Sequence, residues 1–352
     1  MSRRNFASWK RTGELRRIRR EVDPRLEITE ITVRVVKEGG PALLFENVKG
    51  SPYPVAINLF GTARRVELAL GRSPQAIGER LAAAAEDLMP PRPAALWKHR
   101  GLFWDAAHMP PRFVRNGPVN QVTEVPNLDP WPILTCWPED GGRFFTLPLV
   151  ITQSPRGRRN VGMYRLHVYD EKTTGMHMQI ERGGGAHYAE WMALDKPMPV
   201  AVALGGDPAT VLGSVLPLPE DMDEIAFAGF LRGRRVPLVR LSNGVAAPAD
   251  AEFILEGHIP PRERRTEGPF GDHFGHYSHA APLPGVPHRQ SSPSAKPHLP
   301  GHRRRQTAPG RQIHGQRGSG DVVAVVETHA AGTRGPVGLS RSGVSQLRRG
   351  GG

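Results

Sequence analysis

The stretch between about residues 120 and 280 limits the possible folds most strongly. It contains repeated short runs of β-branched, aromatic and aliphatic residues, and Gly, Pro or Asn separates one run from the next. The main runs read TLPLVITQS, MYRLHVYD, MHMQIER, MPVAVALG, VPLVRLSN and AEFILEGHI. Short runs bounded by turn residues are typical of the strands of a β-barrel or sandwich. PATVLGSVLPL and DEIAFAGFLRG predict short helices attached to these strands.

The first 110 residues predict a separate α/β unit. Asp23 and Pro24 form a helix-start signal, and apolar residues follow at helical spacing as far as Val36. The segments ALLFENV and PVAINLFG predict two strands. Ser73–Leu88 predicts a helix, because it has a Ser cap and an Ala-rich body. Residues 90–120, rich in Pro and Trp, indicate a connecting segment.

The single cysteine, Cys136, excludes an internal disulfide framework and is typical of a reducing compartment. It lies in LTCW, which favours a small buried hydrophobic residue over a catalytic thiol. The basic N-terminus has no apolar core of the kind that a secretory signal needs, and no apolar run reaches the ~20 residues of a membrane-spanning helix. These features predict a cytoplasmic protein.

The net charge of +13 suggests nucleic-acid binding, but its distribution argues against that interpretation. Residues 280–352 hold 11 basic and 2 acidic residues, so this segment carries +9 and the first 279 residues carry +4. The segment after Ser278 has no hydrophobic period and predicts a disordered basic tail. Binding of nucleic acid or of an acidic partner through this tail stays open as an alternative function.

Two stretches concentrate the residues that can do chemistry: Asn160–Trp191 and Glu267–Ser278. Asn160 and Arg165 follow the basic turn SPRGRR, and an amide with a guanidinium can bind phosphate or carboxylate, although a surface arginine is the simpler interpretation. Alternation places His177 on the strand face opposite Met176 and Met178. The glycines of RGGGAHY would let the backbone approach a ligand closely, unless they form an ordinary loop.

Three carboxylates complete this set. Glu224 begins an apolar helix, where an acidic residue compensates the helix dipole. Glu267 and Asp272 bracket a Gly-Pro-Phe-Gly turn, so they form either a solvated loop or a carboxylate pair with raised and separated pKa values. A raised pKa would suit a general acid near neutral pH. The histidines of DHFGHYSH recur every third residue, but no Cys or HExxH partner supports a zinc site.

Together these motifs resemble the UbiD family of decarboxylases, which use prenylated FMN. The resemblance runs from GELRRIRREVDP through NLFGTARRVELALG, NVGMYRLHVYDEKTTGMHMQIERGGGAHY, AFAGFLRG and AEFILEGHIPP to EGPFGDHFGHYS, over roughly residues 12–281. It implies an N-terminal α/β domain over residues 1–112 and a β-rich split barrel, similar to flavin reductases, over residues 113–281. It also implies a C-terminal α/β domain, used in assembly and in closing over the active site, that this chain lacks.

The resemblance assigns roles to particular positions. Metal ligands fall on Asn160, His177 and Glu224, which would hold Mn²⁺ or a similar ion against the cofactor phosphate, usually with a monovalent ion such as K⁺ nearby. Prenyl-FMN contacts fall on Met163, Tyr164, Arg165, His177, Met178, Gln179, Arg182 and Gly183. The catalytic residues fall on Arg165, Glu267 and Asp272.

The implied reaction is loss of CO₂ from an aromatic or α,β-unsaturated acid, with the modified flavin as electron sink. Arg165 would orient the carboxylate, Asp272 would return a proton, and Glu267 would hold Arg165 and tune Asp272. Asp at position 272 is typical of the branch that acts on polyprenyl-hydroxybenzoate in ubiquinone synthesis, which would add peripheral contact with the inner membrane. The implied partners are a flavin prenyltransferase and, in full-length relatives, identical subunits. A flavin-binding oxidoreductase is an alternative, but hydride transfer does not need two such acids.

The resemblance ends near Pro282, and a shifted reading frame explains why. Read from the second base of each codon, KPHLPGHRRRQTAPGRQIHG permits NPIYPATVVGKPPQEDKFM, which is similar to the family. GPVGLSRSGVSQL permits DLWAYPEAGFHN, and LPGVP permits FPVF, in the same frame and in family order. We therefore expect that a single-nucleotide shift replaced the C-terminal domain with residues 282–352, that this segment is disordered, and that the chain has lost activity.

Overall fold

The computed structural model describes residues 9–120, 122–178, 183–219, 222–272 and 276–293, together with the backbone of 324–325. The N-terminal part combines a small sheet with five helices. The strands are β1 (Leu15–Ile18), β2 (Ala42–Phe45) and β3 (Val55–Ile57). The helices are α1 (Glu27–Lys37), α2 (Ala63–Leu70), α3 (Pro74–Asp87), α4 (Pro93–Lys98) and α5 (Arg100–Ala106).

The remaining elements form the β-rich part. Its strands are β4 (Arg112–Phe113), β5 (Phe144–Phe145), β6 (Leu149–Gln153), β7 (Arg159–Met163), β8 (Leu166–Val168), β9 (Thr173–Met176), β10 (Met198–Leu204), β11 (Pro237–Arg240), β12 (Ala246–Pro248), β13 (Phe253–Ile259), β14 (Arg264–Glu267), β15 (Phe270–Gly271), β16 (Tyr277–Ser278) and β17 (Ala281–Pro293). Its helices are α6 (Gly184–Ala193), α7 (Pro208–Gly213) and α8 (Glu224–Arg232), with a 3-10 turn at Pro118–Asn120. A two-residue strand, β18 (Ala324–Val325), pairs with β3.

The predicted N-terminal helices and strands are confirmed. α1 begins three residues after Pro24 and ends two residues before Gly39. Ser73 caps α3, and its side chain accepts a hydrogen bond from the backbone N–H of Ala76. β1 pairs in parallel with β2, and β2 pairs antiparallel with β3, so this part is an α/β unit.

The main sheet, as far as the described residues show it, contains nine strands in the order β5-β8-β9-β17-β13-β10-β6-β7, with β14 paired to β17. β7 and β8 are consecutive in sequence, yet they lie at or next to opposite ends of this order. Only Tyr164 and Arg165 connect them. The sheet must therefore curl into a half-barrel, so that a two-residue link can reach from one end to the other.

Alternation along β10 shows how the curled sheet buries both faces. Val200 and Val202 pack with Leu255 in one core, inside the curl. Ala201 and Ala203 face the opposite way and join a second core, to which α7 and α8 contribute. Because both faces are covered, β10 is an almost continuous apolar run rather than an alternating one.

Two sequence predictions need correction here. The run MHMQIER was predicted as a strand, but the strand ends at Met176, and residues 179–182 lie outside the described residues. The disordered tail was predicted from residue 282, but β17 extends to Pro293. It lies between β9 and β13, where the sheet needs a strand to be continuous, and Val286 is fully buried there.

β17 nevertheless has a composition unsuited to a central strand. Pro282, Pro284, Pro287 and Pro293 have no N–H to donate to a neighbouring strand, and proline is normally confined to edge strands. His288 is buried, and its Nε2 lies 3.0 Å from Thr174 Oγ1. Its Nδ1 has no partner among the described residues, and burial lowers its pKa to about 3.

The prediction for Cys136 is confirmed. The side chain is buried, and burial raises the pKa of the thiol to about 12, so it is not a reactive thiolate at neutral pH. Among the helices that the structure describes, none combines the length and the apolar character that crossing a membrane would require.

Candidate active site

Arg165 lies where the two ends of the curled sheet meet, in the link between β7 and β8. Its side chain is 15% exposed and forms a two-point ion pair with Glu267, with Nε to Oε1 at 2.7 Å and Nη2 to Oε2 at 3.0 Å. Nη2 also donates to Ser278 Oγ at 2.9 Å, and the guanidinium carbon lies 4.6 Å from the centre of the Phe270 ring. Nη1 makes no bond with any residue that the structure describes, so it remains available for an anionic ligand.

Glu267 is the most buried acid at this site, with no exposed surface. Burial by itself would raise the pKa of Glu267, but His177 and Arg165 together outweigh that effect and lower it to about 2. The prediction of a raised pKa is therefore wrong for Glu267, because two nitrogen groups face its carboxylate. Glu267 stays ionised at neutral pH and cannot act as a general acid there.

Asp272 lies at the other end of the segment that Glu267 begins. We call residues Glu267–Asp272 the acidic turn. The backbone N–H of Asp272 donates to the His276 carbonyl at 2.8 Å, and Asp272 Oδ1 accepts from the His276 N–H at 3.0 Å. The side chain is partly exposed, so a proton can reach it.

A cavity of about 1070 Å³ opens beside β7 and the N-terminus of α6. Asn160 and Glu224 both line it, together with the arginines at positions 158, 159 and 240. The backbone N–H of Val161 donates to Glu224 Oε2 at 3.1 Å, which ties the carboxylate to the strand that carries Asn160. Burial raises the pKa of Glu224 above its ordinary value.

Helix α8 holds Glu224 in this position. Asp223 caps the helix and accepts hydrogen bonds from the N–H groups of Ile225 at 2.8 Å and Ala226 at 3.2 Å. Its other carboxylate oxygen pairs with Arg159 of β7. The helix start and the strand are thus joined directly, and the predicted helix start at Glu224 is confirmed.

Tyr164 occupies the space that the glycine run leaves open. Its hydroxyl accepts hydrogen bonds from Asn160 Nδ2 at 3.2 Å and from the Gly184 N–H at 3.0 Å. Gly183 has a φ of 52°, and a Cβ there would lie 2.5 Å from Asn160 Oδ1. The glycines thus let Asn160 and Tyr164 approach the backbone closely, and approach of a ligand to the same backbone stays a prediction.

Comparison with known proteins identifies this arrangement. Residues 7–85 match the 3-octaprenyl-4-hydroxybenzoate carboxy-lyase N-terminal domain, and residues 112–287 match the Rift-related domain of the same carboxy-lyase. The chain belongs to the UbiD family.

Among its relatives is an uncharacterized protein of Chlamydia trachomatis, 48% identical over 263 residues, a match that covers 73% of this chain and 45% of the relative. An uncharacterized protein of Archaeoglobus fulgidus is 45% identical over 279 residues, which covers 77% of this chain and 57% of the relative. The chain therefore spans about half the length of the curated relatives that it matches.

The fold matches solved UbiD-class enzymes. An evolved dimeric form of HmfF from Pelotomaculum thermopropionicum, in complex with prFMN, has a TM-score of 0.74 and 27% identity, covering 92% of this chain and 67% of that one. The vanillic acid decarboxylase of Sedimentibacter hydroxybenzoicus has a TM-score of 0.75 and 24% identity, covering 92% and 63%, and shows the likeness of fold alone.

The UbiD resemblance predicted eight prenyl-FMN contacts, and the structure places them unevenly. Gly183 lines the cavity, whereas Arg165 and His177 lie beside Glu267 and do not line it. The Met178 side chain is buried in the core inside the curl, whereas the His177 side chain is partly exposed, so the two lie on opposite faces as alternation predicted. Met163 packs against the other core. Gln179 and Arg182 lie outside the described residues, so their assignments stay predictions.

The donor set for the implied divalent ion fits only in part. Asn160 and Glu224 offer oxygen donors at one cavity, which suits a hard cation. His177 does not line that cavity, and its Nδ1 lies 3.5 Å from Glu267 Oε2 without a well-formed hydrogen bond. Among the described residues, no three His, Cys, Asp or Glu side chains cluster closely enough to hold a metal. His177 as a ligand therefore stays a prediction.

Sequence reasoning missed two residues of this site. Ser278 ends the motif EGPFGDHFGHYS, and its hydroxyl links Arg165 to the Phe270 carbonyl. His187 lines the cavity, its Nδ1 lies 2.9 Å from Thr152 Oγ1, and burial lowers its pKa. RGGGAHY contained the only sequence signal for His187, a histidine in the first turn of a helix that follows glycines.

Replacing Glu267 with Gln should destabilise the folded chain by about 3 to 5 kcal/mol at pH 7, because Arg165 would stay buried without its counter-charge. The pKa of Glu267 falls from 4.5 to about 2 on folding, so its stabilisation is complete above pH 4.5 and disappears as pH falls toward 2. Urea unfolding at pH 7 and at pH 3 should show that the difference between wild type and E267Q narrows at low pH.

The matched control is Asp129→Asn, which removes an exposed partner of Arg143. It should change the free energy of unfolding by less than about 1 kcal/mol at both pH values. An E267Q protein as stable as wild type at pH 7 would contradict the prediction.

Proposed function

We propose that this chain carries the cofactor- and substrate-binding part of a non-oxidative decarboxylase acting on an aromatic or α,β-unsaturated carboxylic acid. The observation that carries the proposal is the buried ion pair of Arg165 and Glu267, with Asp272 at the other end of the acidic turn that Glu267 begins. It combines a fixed cation that can bind a carboxylate with an acid on the same turn that can supply a proton. Membership of a carboxy-lyase family supports this function.

Prenylated FMN is the proposed cofactor, and it would supply the electron sink for the carbon that loses CO₂. The cavity is large enough for a flavin nucleotide, and Arg158 and Arg159 line it with positive charge. The N-terminus of α6 opens onto the same space, and backbone N–H groups there favour a phosphate. A related UbiD-class structure at 27% identity is a complex with prFMN. A flavin prenyltransferase would supply the cofactor.

Each residue of the proposed mechanism has a separate task. Arg165 binds the substrate carboxylate through Nη1, while Nε and Nη2 stay bound to Glu267. Glu267 remains ionised, so it keeps the guanidinium in one orientation. When the C–C bond breaks, CO₂ leaves with the carboxylate oxygens and the electron pair stays on the substrate carbon. Asp272 then donates a proton to that carbon and is reprotonated from solvent.

A divalent ion of the Mn²⁺ type, with K⁺ nearby, is proposed to sit against the cofactor phosphate. Asn160 and Glu224 would bind it through oxygen, and His177 would complete the set after turning away from Glu267. Removal of Glu224 should therefore weaken Mn²⁺ binding.

The substitution Glu224→Gln should weaken Mn²⁺ binding by about tenfold or more, because an amide replaces the single negative charge among the proposed ligands. Titration of the full chain with Mn²⁺, followed by electron paramagnetic resonance of the free ion, measures this directly. The control is Glu86→Gln, which removes an exposed charge on α3 and should leave binding unchanged. Equal Mn²⁺ affinity for E224Q and wild type would exclude Glu224 as a ligand.

The substrate class is proposed from Asp272. A shorter acid must stand closer to the carbon that it protonates, and the resemblance associates Asp here with 3-polyprenyl-4-hydroxybenzoate in ubiquinone synthesis. This substrate would bring a cytoplasmic enzyme into peripheral contact with the inner membrane.

The proposed domain division is an α/β domain over residues 1–112 and a split barrel over residues 113–281. The half-barrel curl of the main sheet supports the second of these.

Residues from about 282 onward are proposed to be translated out of frame. Pro282, Pro284 and Pro287 occupy a central strand that needs N–H donors, and the buried His288 has a ring nitrogen that meets no partner within the described part of the chain. In the native frame this strand would carry donors, and the C-terminal domain and homo-oligomer of full-length relatives would follow. The encoding DNA should show family-like sequence from the second base of each codon past residue 282. Early stop codons in that frame would end this hypothesis.

Asp272→Asn should lower kcat for CO₂ release by about 100-fold or more in the frame-restored protein loaded with prenylated FMN, because an amide cannot donate the proton. The control is Asp195→Asn, which changes an exposed aspartate paired with Arg262 and should keep wild-type kcat. Unchanged turnover in D272N would show that another group protonates the substrate carbon.

A further inference from the structure

The loop Cys136–Gly142, which reads CWPEDGG, lies against the acidic turn although more than 120 residues separate the two segments. We call it the clamp loop. Neither the motifs of the sequence nor the assignments implied by the family resemblance give it a role. Asp140 and Gly141 hydrogen-bond to the acidic turn itself, and Glu139 hydrogen-bonds to Tyr277 just beyond it.

Asp140 binds the clamp loop and the acidic turn with one carboxylate. Oδ2 accepts hydrogen bonds from the backbone N–H groups of Cys136 at 3.0 Å and Trp137 at 2.9 Å. Oδ1 accepts from the backbone N–H of Gly271 at 2.9 Å. Gly271 immediately precedes Asp272, so the carboxylate of Asp140 fixes the backbone one residue away from the proposed proton donor.

One further hydrogen bond joins the clamp loop to the acidic turn, and another joins it to Tyr277 on β16, the strand that pairs with Gly271. The Gly141 N–H donates to the Pro269 carbonyl at 2.8 Å, and the Glu139 N–H donates to the Tyr277 hydroxyl at 3.2 Å. The contact is too close for side chains, since a Cβ on Gly141 would lie 2.2 Å from the Gly268 carbonyl oxygen. A Cβ on Gly271 would likewise lie 2.3 Å from the Trp137 ring.

The acidic turn is thus held at both ends by different groups. Arg165 holds the side chain of Glu267 at its start, and Asp140 holds the backbone of Gly271 at its end. Between these two points the turn has few ways to move. Displacement of a reacting group by about 1 Å can cost on the order of 100-fold in rate. The contact of Asp140 with Gly271 therefore matters for the position of Asp272.

We propose that Asp140 is a positioning residue that sets the location of Asp272 relative to Arg165. The proposal rests on the decarboxylase function proposed above. It requires a carboxylate and not an amide, because Asp140 accepts hydrogen bonds on both oxygens. In an asparagine of the same shape, Nδ2 would face either the Gly271 N–H or the N–H groups of Cys136 and Trp137, and one side of the clamp would open.

The first test is hydrogen exchange measured by mass spectrometry on the full 352-residue chain without cofactor. Asp140→Asn should speed exchange of the peptide that contains Gly271 by about tenfold, and peptides of β10 and α8 should exchange as in wild type. Glu139→Gln removes the same charge from the neighbouring exposed side chain and should change nothing. Unaltered exchange at Gly271 in D140N would overturn the proposal.

A milder variant covers the case in which D140N does not fold. Tyr277→Phe keeps the ring and removes only the hydroxyl that accepts from the Glu139 N–H. It should speed exchange of the acidic turn by a smaller factor than D140N. No change at the turn in Y277F, with D140N unfolded, would also overturn the proposal.

The second test uses the frame-restored enzyme. D140N should lower kcat about tenfold to 100-fold, leave KM within about twofold, and bind FMN with wild-type affinity, because only the proton donor is misplaced. Equal loss of FMN affinity and kcat would indicate a general structural role and overturn the positioning role. Faster exchange in D140N, together with no decarboxylation by wild type, would refute the proposed function and leave the clamp standing.

Discussion

The buried ion pair between Arg165 and Glu267 is the interaction on which the site depends. Arg165 sits in the two-residue link between β7 and β8, and Glu267 ends β14, which pairs with β17 in the middle of the main sheet. The ion pair therefore connects the β7–β8 link, where the two ends of the curled sheet meet, to strands in the middle of the sheet. Removing either partner would leave the other charge buried without compensation, so the pair stabilises the fold only while both groups are ionised.

Ion pairs and a helix cap also hold the residues that line the cavity in place. Glu224 stands in the first turn of α8, Asp223 caps that helix, and Asp223 also pairs with Arg159 on the strand that carries Asn160. Two of the three proposed ligands, Asn160 and Glu224, are thus placed by a strand and a helix start that are bonded to each other. Groups held in this way need little rearrangement when a charged ligand arrives, which lowers the free-energy cost of binding.

Local sequence signals predicted the elements well and the long-range contacts poorly. Ser73, Gly39 and Glu224 marked helix ends correctly, because caps and dipoles act over one turn of chain. Alternation placed Met176 and Met178 in the core and His177 outside it. The sequence left open a raised pKa for Glu267 or a solvated loop, and the structure shows a buried carboxyl with a lowered pKa, because His177 and Arg165 become its neighbours only after folding.

Asp140 and Ser278 were missed for the same reason. Asp140 binds backbone N–H groups, one of them in a segment distant in sequence, and Ser278 links the distant Arg165 to a backbone carbonyl. Backbone groups carry no sequence signal. The catalytic and ligand assignments came from the family resemblance and not from spacing. On spacing alone, Asn160 and Arg165 fit a surface strand as well as a binding site. The resemblance therefore supplies the predicted roles, and the structure shows what holds Arg165 and Glu267 in place.

The position of β17 in the sheet has a consequence for how the protein is made. Among the strands that the structure describes, β17 is the last of the nine in sequence, and it is the one that joins the group β5, β8 and β9 to the group β13, β10, β6 and β7. While β17 (Ala281–Pro293) is missing from a nascent chain, the facing edges of these two groups have no strand to pair with. A change in these residues therefore acts when the edges of the curled sheet are most exposed to aggregation.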